Sequence, residues 1–170
     1  MVFELASAQR RLGADVEIWA PDAIRAGSTE TFDGLPIRYF YPDPLFGLAR
    51  SFRLRHELDL LPADVVLHAH NTFNPLNVQV DEAASARGLK VFFNPHGALD
   101  RALFSGWDFK SLKKRLYIRF FTRPKLNRAT GVFALTSLEQ AQLTSLGVTS
   151  PIHVVPNGIR PVPVASREAG

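Results

Sequence analysis

The chain holds 170 residues, 46% of them apolar, with 20 Lys and Arg against 16 Asp and Glu for a net charge of +4. This is one domain's worth of material with enough apolar surface for a core, and 21% charged residues spread among 13 Phe excludes disorder and low complexity. The absence of cysteine excludes a disulfide framework, thiolate metal centres, iron–sulfur clusters and a cysteine nucleophile, in keeping with a reducing cytoplasm. No apolar run approaches the ~20 residues that span a bilayer, and Met1-Val2-Phe3-Glu4 lacks the basic flank and apolar block of a secretory signal, so the expectation is a soluble or peripheral cytoplasmic protein.

In chain order, Val2 to Leu12 gathers Val2, Leu5, Ala6, Ala8 and Leu12 on one helical face and stops at Gly13. Asp15 to Ala20 and Ile37 to Tyr41 read as strands, and Asp22 to Pro36, with its Asp33-Gly34 pair, reads as loop or turn between them. A helix is expected from about Phe46 to Leu60, a strand at Val65 to Ala69, and a helix from Pro75 to Arg87 that opens on proline and stops at Gly88. Leu89 to Asn94 is the next strand, followed by a long helical pattern from about Asp108 to Arg128 and a strand at Gly131 to Thr136. Thr136-Ser137-Leu138-Glu139 has capping-box spacing and opens a helix that closes before Gly147; Ile152 to Val155 is the last strand.

Most of these strands are nearly continuous in apolar character and alternate with helices. They predict an α/β fold with a Rossmann-like, doubly wound, mostly parallel sheet and helices on both faces. Residues 1–159 are expected to form that domain, with 160–170 a linker and disordered tail beginning at Arg160-Pro161-Val162-Pro163.

Charge is concentrated in one segment. Arg101 to Arg128 carries nine basic residues and one acid, Asp108, for +8, so the remainder carries −4. Within it Phe109, Leu112, Leu116 and Phe120 recur at helical spacing among Lys110, Lys113, Lys114, Arg115, Arg119 and Arg123. Three readings fit: a core-facing stripe with a solvated basic face, contact with anionic membrane lipid or a phosphorylated ligand, and nucleic-acid contact.

In an open parallel sheet, ligands bind beyond the carboxyl ends of the strands, where His68-Ala69-His70-Asn71, Asn94-Pro95-His96-Gly97 and Pro156-Asn157-Gly158 fall. His68 and His70 share a strand face and could begin a zinc site, but no nearby carboxylate or third histidine completes it; otherwise one caps the strand and the other borders the cleft. His96, between Pro95 and a turn-permitting Gly97, either serves a substrate hydroxyl, phosphate or proton, or is a turn histidine bonded to backbone. No Gly-x-Gly and no Gly-x-Ser-x-Gly occurs, which argues against a nicotinamide oxidoreductase, a P-loop kinase and a serine hydrolase.

Asp64-Val65-Val66-Leu67-His68-Ala69-His70-Asn71, Asn74-Pro75-Leu76-Asn77 and Asn94-Pro95-His96-Gly97-Ala98-Leu99-Asp100 resemble the N-terminal domain of family 4 glycosyltransferases. Arg123-Pro124, Ala134-Leu135-Thr136-Ser137-Leu138-Glu139-Gln140 and Val154-Val155-Pro156-Asn157-Gly158-Ile159 continue the resemblance in order over nearly the whole chain. It implies the acceptor-side half of a two-domain GT-B enzyme that transfers sugar from a nucleotide donor to a hydroxyl without a metal or other cofactor. On the same resemblance His96 lies near the donor sugar and the cleft, and Asn157 and Gly158 mark the passage toward the second domain; with His70, Asn71, Gly97 and Thr136 they make up the expected substrate-binding residues.

The resemblance implies a sugar acceptor and a C-terminal donor-binding domain as partners; the +8 segment and its aromatics add a lipid-linked acceptor or the anionic inner face of a membrane, and no nucleic acid is expected. The family places a strand and a Gly-rich loop before the first helix and its donor domain after Ile159. Neither is found in these residues, so the chain alone is expected to be inactive. A free-standing sugar- or partner-binding module is the alternative.

Overall fold

A computed structural model describes residues 1–45, 48–74, 76–100, 106 and 108–158. Its elements are α1 (Val2–Arg11), β1 (Ile18–Pro21), β2 (Thr29–Phe32), β3 (Leu35–Phe40), β4 (Asp43–Leu45), β5 (Leu48–Arg50), α2 (Phe52–Leu60), β6 (Val66–His70), α3 (Leu76–Arg87), β7 (Lys90–Asn94), α4 (Phe109–Tyr117), a π-helical turn (Ile118–Thr122), α5 (Arg123–Arg128), β8 (Gly131–Ala134), α6 (Ser137–Ser145) and β9 (Ile152–Val154). The class is mixed α/β, with a four-stranded parallel sheet flanked by helices, as a Rossmann-like fold requires.

The strands do not all join one sheet. β6-β7-β8-β9 form the parallel sheet, β1-β3-β2 a smaller sheet, and β4-β5 a hairpin. Among the described residues β6 pairs only with β7, and β1 only with β3, in parallel. Leu61, Leu67 and Val80 nevertheless pack against both apolar clusters. One cluster holds Val91, Phe93, Leu126, Val132, Ala134 and Leu143, and the other holds Phe40, Leu54, Leu58, Leu76 and Ala83. Side chains thus bridge the sheets where backbone pairing does not.

Two sequence expectations need correction here. Asp22 to Pro36 contains a strand as well as a turn: β2 folds back antiparallel on β3 through Asp33 (φ 49°) and Gly34 (φ 75°), the left-handed pair a tight hairpin demands. The helix expected from Phe46 begins only at Phe52, because Asp43–Leu45 and Leu48–Arg50 pair antiparallel before it. The Ser51 side chain accepts from the Leu54 N–H and sets the true start. Phe46, Pro75, Arg101, Ile159 and the tail 160–170 lie outside the described residues.

α6 ends where the sequence places it. The Gly147 N–H donates to the Thr144 carbonyl and the Val148 N–H to that of Leu143, a Schellman closure that needs the positive φ of 81° at Gly147. Among the described residues no helix is long and apolar enough to cross a membrane.

A histidine pair at the carboxyl edge of the parallel sheet

All four strands of the large sheet run the same way, so their carboxyl ends share one edge. β6 and β7 end level, with His70 opposite Asn94, and the Asn71 N–H donates to the Asn94 carbonyl at 3.1 Å to close the ladder. Past that point both chains turn through left-handed backbone, at Asn71 (φ 67°) and at His96 and Gly97 (φ 55° and 72°). The Ala98 N–H donates to the Pro95 carbonyl across the second turn at 3.2 Å. Asn94 Oδ1 accepts from the His96 N–H. A non-glycine residue held left-handed costs about 1–2 kcal/mol, and such outliers gather at working sites.

The turn lays His96 against β6. His96 Nε2 and His70 Nδ1 are 2.9 Å apart, and the two rings stack at 5.1 Å with planes 10° apart. His68, on the same strand face, lies 4.1 Å from His70 by ring centroids, and its other neighbour is Phe133 of β8. Burial is the main reason that all three imidazoles titrate low. It brings His70 to about 3, with His68 and His96 adding to the effect. The neighbouring His96 charge adds to the lowering of His68, whereas at His96 itself Glu139 opposes the shift. The pair is therefore neutral at pH 7, and one shared proton makes one ring donor and the other acceptor. His96 Nδ1 and His68 Nε2 are buried without a hydrogen-bond partner among the described residues.

Glu139 fixes the turn. This side chain is 5% exposed, and its two carboxylate oxygens each accept a backbone N–H at 2.7 Å, from Gly97 and from Leu135. Its own N–H donates to Thr136 Oγ1. The third position of a capping box ordinarily bonds back to its own N-cap; here it ties the β8–α6 junction to the His96-Gly97 turn 42 residues away.

On the β6 side Asn77 Nδ2 donates to the carbonyls of His70 and Asn71, at 3.0 and 2.6 Å. Lys125, 2% exposed, donates from Nζ to the Thr72 carbonyl and stands 5.0 Å from the Phe93 ring centroid. Burial lowers its pKa to about 8, with Asp81 opposing. Asp81 itself is buried and bonded to Arg128, and burial outweighs that partner in raising its pKa.

The residues singled out from the sequence divide as follows. His70 and His96 meet, and Asn71 and Gly97 are the left-handed residues of the two turns beside them. Thr136 stands at the edge, but its hydroxyl caps α6. Asn157 and Gly158 are exposed beyond β9 on the same edge, two strands from β7. Among the described residues no group of three or more His, Asp or Glu is placed to hold a metal ion.

Local sequence does not mark Glu139, Asn77 or Lys125 as parts of this site. Glu139 had a signal, its capping-box spacing, but nothing local tells where the second carboxylate oxygen goes. Lys125 sits in a run of cations that reads as solvated surface.

A strained, neutral imidazole pair on the carboxyl edge of a parallel sheet, clamped by a buried carboxylate, suits an α/β domain that holds a polar ligand. The model of the glycosyl transferase 4-like domain matches residues 1–158, and the chain belongs to that family. No curated protein matches it.

Proposed function

We propose that this chain forms the acceptor-holding side of a transferase in which an acceptor hydroxyl attacks the anomeric carbon of a nucleotide sugar and the nucleoside diphosphate leaves. The observation that carries the reading is the His70–His96 pair: two neutral rings joined by one hydrogen bond, held at the strand ends by left-handed backbone. A neutral imidazole can donate to or accept from a sugar hydroxyl without placing a full positive charge beside the reacting carbon. Asn71, Gly97, Asn157 and Gly158 border the acceptor along the same edge. Thr136 contributes through α6, by capping the helix that carries Glu139.

The donor's diphosphate is bound by a second, C-terminal domain, and no metal takes part. Transfer needs a closed cleft that keeps water from the activated sugar, and one side of a cleft does not supply it. The chain by itself is therefore expected to give neither transfer nor donor hydrolysis when incubated with a series of nucleotide sugars and simple hexoside acceptors. Clear turnover of any donor by these residues alone overturns the division of labour proposed here.

A further inference from the structure

The helix α4 and the π turn after it are built the wrong way round for a core helix. Ser111, Ile118 and Thr122 face inward and are buried. Phe109, Leu112, Leu116 and Phe120 are exposed, at 81, 44, 47 and 63%. The core-facing reading of this stripe is thus corrected: helical periodicity gives a face, and here that face points outward.

Cations flank the stripe. In helical order Lys113 and Lys110 follow on one side of it and Arg115 and Arg119 on the other, and all four are exposed. The Arg119 guanidinium lies 5.9 Å from the Phe120 ring centroid. Asp108 is the one acid between 108 and 128, and its side chain is engaged at the start of α4, accepting from the Ser111 N–H. The sequence outside Arg101 to Arg128 is net negative, by −4.

We propose that this face docks on an anionic lipid surface, with α4 lying in the interface plane. An exposed aromatic and leucine stripe bordered on both sides by Lys and Arg is the composition of an interfacial helix, whose apolar side chains enter the headgroup boundary while long cationic stems reach the lipid phosphates. The net charge, +8 within Arg101 to Arg128 and −4 over the rest of the sequence, favours an approach with this face toward the membrane. Nucleic acid would use the cations and leave four apolar side chains in water. The inference stands on α4 and the π turn after it and does not depend on the reaction assigned to the histidine edge.

The test is co-sedimentation of the chain with vesicles of phosphatidylcholine alone and of phosphatidylcholine mixed with phosphatidylglycerol, at low and high salt. Binding is expected to the anionic vesicles only and to weaken with salt. Lys113→Gln and Arg119→Gln are each expected to weaken it about fivefold, and Phe109→Ser with Phe120→Ser to abolish it. All of these positions are solvent-exposed, and unchanged circular dichroism confirms folding. Equal binding to both vesicle types, no binding at low salt, or binding insensitive to these substitutions overturns the proposal. So does capture of an RNA or DNA oligonucleotide without vesicle binding, or self-association abolished by the Phe changes in their place.

Discussion

Glu139→Ala is expected to lower the unfolding free energy by about 2–4 kcal/mol, the largest effect of any single change at the candidate site. The substitution strands two partly buried backbone donors at once, the N–H groups of Gly97 and Leu135. Each unsatisfied buried group costs about 1–3 kcal/mol. A domain of this size is stable by about 5–15 kcal/mol in all, so the loss is a large share of the total. Glu139→Gln keeps one carbonyl oxygen and is expected to lose about half as much. Urea unfolding followed by tryptophan fluorescence measures both; a loss under about 1 kcal/mol for the alanine variant would mean that the clamp is incidental. The turn should loosen along with the stability, since Gly97 is held to α6 by that carboxylate alone among the hydrogen bonds described for its N–H.

His96 separates fold from chemistry. Its backbone is left-handed (φ 55°), a conformation glycine adopts freely. His96→Gly is therefore expected to keep or raise stability, by up to about 1 kcal/mol, although the 2.9 Å contact with His70 is lost. In a transferase carrying this domain together with a nucleotide-sugar-binding domain, the same change is expected to lower turnover about 100-fold or more, the usual scale for a positioned proton donor or acceptor. Strain retained at a position where glycine fits is then explained by what the imidazole does. If His96→Gly left turnover and donor affinity unchanged, His96 would be a turn residue and nothing more.

Much of this was legible in the chain. Buried parallel strands announced themselves as short, continuous apolar runs, and Gly13, Gly88 and Gly147 marked the helix ends. Pro95 and Gly97 pointed to a sharp turn around His96, and the two-residue spacing of His68 and His70 put them on one face.

What stayed hidden was long-range. The Glu139–Gly97 bond joins residues whose proximity only the finished sheet creates. The hairpin Asp43–Leu45/Leu48–Arg50 hides in a stretch that reads as the start of a helix, because three-residue strands are too short to show a period of two against a period of 3.6. Lys125 reads as one more cation of a solvated run, yet it is 2% exposed, since what buries it is the β6–α3 turn more than fifty residues earlier.

The most direct measurement is the response of the imidazole ring nitrogens, by long-range proton–nitrogen correlation spectra at neutral pH, as nucleotide sugars and free hexosides are titrated onto the protein. Five histidines report at once: His68, His70 and His96 on the strand-end cluster, His56 on α2 and His153 on β9. The account predicts neutral rings at His70 and His96 and ligand-dependent shifts centred on that pair, with His56 silent. Shifts confined to His56 or His153, or a charged His70 at pH 7, would contradict it.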